Sequence, residues 1–296
     1  MQKLVECVPN FSEGKDREII QAIFAAAETL GVKVFELESN PDHNRCLFTI
    51  VGEPEAVLTS AFATIKKATE LIDMTKHHGE HPRIGATDVV PFVPVSGVTL
   101  EECVKLSMDL AKKVADELKV PVYLYEASAT KPERVNLADV RKGEYEGLGK
   151  EIKSNPDKKP DFGPSEFHPT AGAMVIGARN YLVAFNVNLD TADVEVAKTI
   201  AGKIREKGGG LPAVKALGFF VDGLAQVSMN LCDFTKTNFD EAYRAVVKLA
   251  QEMGVEVTSS EIYGMVPLDS IVQAVVTSFK AKSFKSEQVL EKKLWE

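Results

Sequence analysis

The sequence predicts an α/β (α+β) protein built from two ferredoxin-like β-α-β-β-α-β subdomains. Three observations carry this expectation. Short period-two apolar runs alternate with helical stripes in which apolar residues recur three and four positions apart. The same order of elements occurs twice, once on each side of a proline-rich stretch. Finally, 296 residues of which 45% are hydrophobic provide a sizeable core, and that length suits two domains better than one.

Residues 2–9 (QKLVECVP) read as a short buried strand. Asp16 to Leu30 reads as a helix with Ile19, Ile20, Ile23, Phe24, Ala27 and Leu30 on one face, ended by Gly31. Val32–Leu37 and Cys46–Val51 follow as strands joined by the turn Ser39-Asn40-Pro41-Asp42. Pro54 opens a second helix, where its missing N–H costs nothing, with Val57, Leu58, Ala61, Phe62, Ile65, Ala68 and Leu71 on its apolar face. Asp88–Val95 completes the first set. A helix capped by Thr99 and Glu102 and a strand at Val122–Glu126 come next. In the second half, Tyr181–Leu189 is a strand and Val194–Ile204 a helix stopped by Gly208-Gly209-Gly210. Val214–Asp222 and Ala225–Leu231 form a hairpin, Asn238 and Glu241 cap a helix to Met253, and Glu256–Ile262 is the last strand.

Ser154–Thr170 carries prolines at 156, 160, 164 and 169, which rules out regular structure. It reads as a linker or as an ordered, ligand-contacting loop, and Phe162 and Phe167 favour the second. The expected organisation is an N-terminal subdomain at 1–150, a connector at 151–170 and a C-terminal subdomain at 171–296.

A net charge of −8 argues against a general nucleic-acid or membrane-surface binder, so an anionic ligand must meet a local cluster of cations. Cys7, Cys46, Cys103 and Cys232 lie far apart without a C-x-x-C pair, which points to reduced thiols and a cytoplasmic location. The first residues form no signal-peptide core, and no apolar run reaches the ~18 residues that span a bilayer.

The segment "TKHHGEHPRIGATDVVPF" holds three of the five histidines, and His77–His81 spells H-x-x-E-H. A zinc site of that pattern needs both histidines one turn apart on a helix. Gly79 weakens such a helix and Pro82 pushes His81 out of the α region, so a loop without metal is expected. The other reading is acid–base work by an imidazole that titrates near neutrality. His81, stiffened by Pro82, is the best held of the three. In "VPNFSEGKD", Asn10, Ser12 and Gly14 are either an anion site or a simple helix entry. In "ESNPDHNRC", Glu38, Asp42, Asn44 and Arg45 meet at a turn, where Arg45 suits a carboxylate through two parallel hydrogen bonds; a solvated turn explains them equally. The glycine run follows a helix, unlike a dinucleotide fingerprint, and there is no phosphate-binding or nucleophile-elbow motif.

Together, "LVECVPNFSEGKD", "GEHPRIGATDVVPFVPV", "VPVYLYE", "PDFGPS", "YLVAFNVNL" and "LAQVSMNL" resemble the formiminotransferase domain of glutamate formiminotransferase, from about residue 2 to 280. The resemblance implies two ferredoxin-like subdomains with a substrate tunnel between them, and a homodimer. It implies transfer of a formimino group from N-formimino-L-glutamate to N5 of tetrahydrofolate, a step of histidine degradation. The family's catalytic histidine falls on His81 in Gly79-Glu80-His81-Pro82-Arg83. Its folate-binding stretch falls on Asp161, Phe162, Gly163, Pro164, Ser165, Glu166, Phe167, His168, Pro169 and Thr170. An acidic catalytic partner falls on Glu38, where the animal enzyme has aspartate; Glu166 and His168 also depart from the family pattern.

On that reading, His81 takes the proton from N5 and returns it to the departing nitrogen, Glu38 stabilises the amidinium or orients the imidazole, and no metal or covalent enzyme intermediate is required. Asn10, Asn44, Arg45, Arg83 and Arg179 are the expected substrate-binding residues, with Lys158 and Lys159 as further cations. The same residues serve formyl transfer from 5-formyltetrahydrofolate to glutamate; the reading from another class is a non-catalytic folate-binding protein. With the chain ending at Glu296, a separate cyclodeaminase is expected downstream.

Overall fold

The computed structural model describes residues 2–79 and 81–295. The chain is a mixed α/β protein of two compact units that divide between Arg179 and Asn180, each with its own sheet.

The first unit runs β1 (Leu4–Cys7), β2 (Asn10–Phe11), α1 (Arg17–Ala27), β3 (Val32–Asn40), β4 (Arg45–Gly52), α2 (Pro54–Leu71), β5 (Thr87–Ser96), α3 (Leu100–Leu118), β6 (Val122–Glu126), α4 (Leu137–Val140), α5 (Glu144–Glu151) and β7 (Met174–Ala178). β1 and β2 are two pieces of one central strand, each pairing with both β4 and β5. Pro9, which has no N–H to give a ladder, sits in the break between them. The Asp16 carboxylate accepts from the Glu18 and Ile19 amides and starts α1. The helix ends at Ala27, leaving Leu30 fully exposed rather than on the apolar face. Thr99 and Glu102 form the expected reciprocal capping box on α3.

The order across this sheet is β3-β4-β1/β2-β5-β7-β6, antiparallel as far as β5 and parallel from β5 through β7 to β6. β7 is the main departure from expectation. It wedges between β5 and β6, so the chain returns to the first sheet after the proline-rich stretch, and residues 171–179 lie in the first unit rather than opening the second. Its five residues, MVIGA, are all buried. A strand covered on both faces reads as a short continuous apolar run, without the alternation that marks a half-exposed one. The cover is visible in the packing. Leu106, Leu110 and Val114 of α3 join Met174 and Ile176 in one core. On the other side, Val140, Leu148 and Ile152 pack with Val89, Tyr123, Tyr125 and Val175. Helices therefore cover both faces of the β5-β7-β6 half, not one.

The second unit runs β8 (Val183–Leu189), α6 (Val194–Ile204), β9 (Val214–Val221), β10 (Leu224–Leu231), α7 (Phe239–Glu252), β11 (Val257–Tyr263), α8 (Leu268–Phe279) and α9 (Leu290–Trp295). Its four strands lie in the order β11-β8-β10-β9, antiparallel throughout. Alternate residues of β8 and β10 (Val183, Phe185, Val187, Leu189; Ala225, Val227, Met229, Leu231) pack with Ile200, Ile204, Ala242 and Val246 of the helices. Asn238 and Glu241 form the capping box of α7.

Cys7, Cys46 and Cys103 lie buried in the first core as thiols. Among the described residues, no helix is long and apolar enough to cross a membrane.

Candidate active site

The histidine-rich segment between α2 and β5 is a loop, as Gly79 and Pro82 require; Glu80 lies outside the described residues. Two glycines let it come close to its neighbours. A Cβ on Gly79 would stand 2.4 Å from the His43 carbonyl oxygen, and one on Gly85 would stand 1.9 Å from that of Ala173. The first contact brings the turn between β3 and β4 against the loop. The second fastens the loop to the chain entering β7.

His77 is buried with both ring nitrogens engaged. Its Nδ1 accepts from Arg83 Nε at 3.3 Å, so Nε2 carries the proton and donates to the Asn44 carbonyl at 3.0 Å. Arg83, an expected substrate-binding residue, lines the same small cavity as His81 and is also tied into the scaffold. It is 6% exposed and donates to Glu144 at 2.9 Å and Glu146 at 2.7 Å, while its carbonyl accepts from the Tyr145 amide. A guanidinium held by two carboxylates staples α5 to the histidine loop. Asn44 is likewise committed to the scaffold: its Oδ1 accepts from the Gly14 amide at 2.9 Å, and its Nδ2 donates to the His78 carbonyl at 3.0 Å.

Asn10, Ser12, His43, Arg45, His81 and Asp88 line one small cavity. Arg45 Nε donates to Asn10 Oδ1 at 2.8 Å, and its Nη2 bonds the same oxygen. The His43 and His81 ring centroids are 6.3 Å apart. Asp88, 2% exposed, accepts from the Ile84 amide at 3.0 Å and pairs with Arg141, the residue that ends α4. Glu38 stands exposed on β3, outside this lining, and its charge favours the protonated form of Arg45. Arg179, just after β7, hydrogen-bonds the buried Tyr125 phenol and is not in the cavity lining.

Burial, with the charges of Arg45, Arg141 and His43 beside it, pushes the His81 imidazole down to about 3. At neutral pH the ring is therefore uncharged and keeps a free lone pair on one nitrogen. We expect an NMR titration of the His81 ring to show no protonation step between pH 8 and 5; a midpoint near the ordinary 6.5 would contradict this picture of the cavity. The linked effect on folding has a definite sign. The folded state binds its proton only well below 6.5, so stability held at neutral pH is lost as pH falls from 6.5 toward 3.

The stretch Asp161–Thr170 divides into an anchored half and an open half. The Asp161 carboxylate accepts from the Leu124 amide at 2.8 Å and from Thr130, and pairs with the buried Arg134. Phe162 exchanges two backbone hydrogen bonds with Val122, which extends β6 by one bridge. The His168 ring nitrogen Nδ1 accepts from the Ala171 amide at 3.1 Å, and the Thr170 carbonyl accepts from Met74. Phe167 packs on Tyr145 with centroids 5.3 Å apart. Gly163, Pro164, Glu166, Phe167, His168 and Pro169, with Ala115, Asp116 and Lys119, line a groove of about 490 Å³. Ser165 and Glu166 are exposed, and Glu166 pairs with Lys153 at 2.8 Å.

Three residues escaped the sequence reading. His43 stands inside the quoted turn "PDHNRC", where its neighbours drew the attention. Asp88 looked like the first residue of a strand. Arg141 is 53 positions from its partner Asp88 and carries no local signal.

Comparison with known proteins agrees with the division of the fold. The model of the formiminotransferase domain's N-terminal subdomain matches residues 4–179, and that of the formiminotransferase domain matches residues 184–293. The chain is 44% identical to the glutamate formimidoyltransferase of Streptococcus pyogenes over 99% of both chains. It is 45% identical to that of Thermoplasma acidophilum, over 98% of this chain and 97% of the other. The formimidoyltransferase-cyclodeaminase of Dictyostelium discoideum is 47% identical over 93% of this chain, which spans about half, 52%, of that longer protein. Matches of this length and identity, falling on both compact units in order, leave one conclusion: the chain belongs to the formiminotransferase domain family.

Proposed function

We propose that this protein is a folate-dependent glutamate formimidoyltransferase, moving the formimino group of N-formimino-L-glutamate to N5 of tetrahydrofolate. The observation that carries the reading is the match to stand-alone glutamate formimidoyltransferases over nearly the whole chain, with a half-buried His81 beside Arg45 in one cavity.

The reaction needs one group that both takes and gives a proton. The N5 lone pair attacks the planar amidine carbon, and His81 accepts the proton that N5 sheds. The tetrahedral intermediate then collapses. As the bond from carbon to the glutamate nitrogen breaks, the His81 imidazolium returns the proton to that nitrogen, giving glutamate and 5-formiminotetrahydrofolate. Proton and electron pairs balance without an external acid. Arg45, with Asn10 against it, is assigned to the donor's polar groups. Glu38, acting across Arg45, tunes the charge around the amidine. The groove along Gly163–Pro169 is assigned to the folate. Holding two substrates in line supplies much of the acceleration, up to ~7–11 kcal/mol in favourable cases.

The β-α-β-β-α-β order of the second unit and its strand sequence β11-β8-β10-β9 support reading it as ferredoxin-like, and the β3-β4-β1/β2-β5 part of the first sheet follows the same plan. The family likeness further favours a cytoplasmic homodimer that passes its product to a separate cyclodeaminase.

The test offers the purified protein N-formiminoglutamate with tetrahydrofolate and, separately, 5-formyltetrahydrofolate with glutamate, while folate absorbance is followed. Faster turnover in the first assay is expected. Transfer only in the second would move the assignment to formyl chemistry, and transfer in neither would end the enzymatic reading.

A further inference from the structure

Two guanidiniums near His81, those of Arg45 and Arg141, are less fully engaged than that of Arg83. Arg83 is matched by Glu144 and Glu146. Arg45 has the Asp88 and Glu38 charges near it, but among the described residues its hydrogen bonds go to the neutral Asn10 carboxamide. Arg141 shares the nearly buried carboxylate of Asp88, but that carboxylate also serves the Ile84 amide. Among the described residues, Arg141 Nε is buried without a hydrogen-bond acceptor. Its side chain is only 15% exposed, so solvent does little to make good the deficit. The two guanidiniums are also close enough that Arg141 disfavours the charge on Arg45, second only to burial. Like charges gathered in a cavity with spare donors are a site for an anion.

We propose that Arg141, oriented by Asp88, joins Arg45 to form the subsite that binds a carboxylate of the amino-acid donor beside His81. The inference rests on the proposed activity for the identity of the donor. The chemistry of the ligand follows from the donors. A carboxylate presents two coplanar oxygens, which match the planar fork of a guanidinium and bridge two such groups. Asp88 occupies one edge of the Arg141 guanidinium and fixes its plane; it is a positioning residue, acting on the donor only through Arg141. The four-residue helix α4 ends at Arg141, whose guanidinium pairs with Asp88 of β5.

Two measurements test this, one independent of turnover. Glutarate, a dicarboxylate without the reactive amidine, is titrated into the protein while the His81 ring resonances are followed. It should perturb them saturably in the wild type and bind at least tenfold more weakly in the charge-neutral pair Asp88→Asn/Arg141→Gln. That pair avoids leaving a lone buried carboxylate, and its thermal midpoint verifies that it is folded. In steady-state assays, the pair and Arg141→Lys should raise KM for N-formiminoglutamate by tenfold or more while KM for tetrahydrofolate stays within twofold. Asp88→Asn alone should show the same split, with the loss carried by KM more than by kcat. Unaltered glutarate affinity and donor KM in the folded pair would overturn the subsite. A wild type that binds glutarate in an Arg141-dependent way without transferring anything would uphold the subsite and sink the proposed activity instead.

Discussion

Replacing His81 with glutamine lowers kcat/KM for formimino transfer by roughly 10²–10⁴, the range a positioned general base supplies. Glutamine retains hydrogen-bonding capacity and approximate size but cannot take up a proton at neutral pH, so the variant separates proton transfer from packing. His81 is a suitable target because it is partly accessible and lines the cavity without being a structural tie. The comparison with His77 sharpens the experiment. His77 bridges Asn44 and Arg83 with both nitrogens and is 8% exposed. His77→Gln should therefore lower thermal stability first, whereas His81→Gln should leave the thermal midpoint within a few degrees. Folate affinity, measured by fluorescence or calorimetry, should survive in His81→Gln. A His81→Gln enzyme within tenfold of wild type would remove His81 from the proton path.

Asp161→Ala costs roughly 3–5 kcal/mol of stability, the range for breaking a buried ion pair by removing one partner. The Arg134 and Asp161 side chains are only 5% and 8% exposed, so the guanidinium left behind is stranded away from water. The Leu124 amide at the heart of β6 loses its acceptor as well. Glu166→Ala, a few residues along the same stretch, is the control. Its pair with Lys153 is 60% and 67% exposed, so solvent screens it and its loss should leave the urea midpoint nearly unchanged. Urea unfolding of both variants decides the matter: similar midpoints would mean that the buried pair does not hold the connector. Asp161 opens the stretch expected to contact folate. Its carboxylate goes to Arg134, Thr130 and the Leu124 amide, so a loss of folate affinity in Asp161→Ala is expected to act through the loop it fixes.

The sequence by itself determined the elements whose signals are local. The capping boxes at Thr99 and Asn238, Pro54 at the start of α2, and the strands Val122–Glu126 and Val183–Leu189 depend on side chains a few residues apart, so the pattern and the cause occupy the same window. The loop character of the His81 segment was legible for the same reason, since glycine and proline act on their own backbone. What only the tertiary structure decided depends on partners far apart in the chain. β7 is too short and too uniformly apolar to announce itself, and its place between β5 and β6 exists only once both strands are present. Arg83 looks like any exposed arginine until α5 brings Glu144 and Glu146 to it. Arg141 acquires a role when β5 presents Asp88. The depressed basicity of His81 is a property of no residue alone: it arises from burial and from two guanidiniums that β4 and α4 deliver from opposite ends of the first unit's sequence.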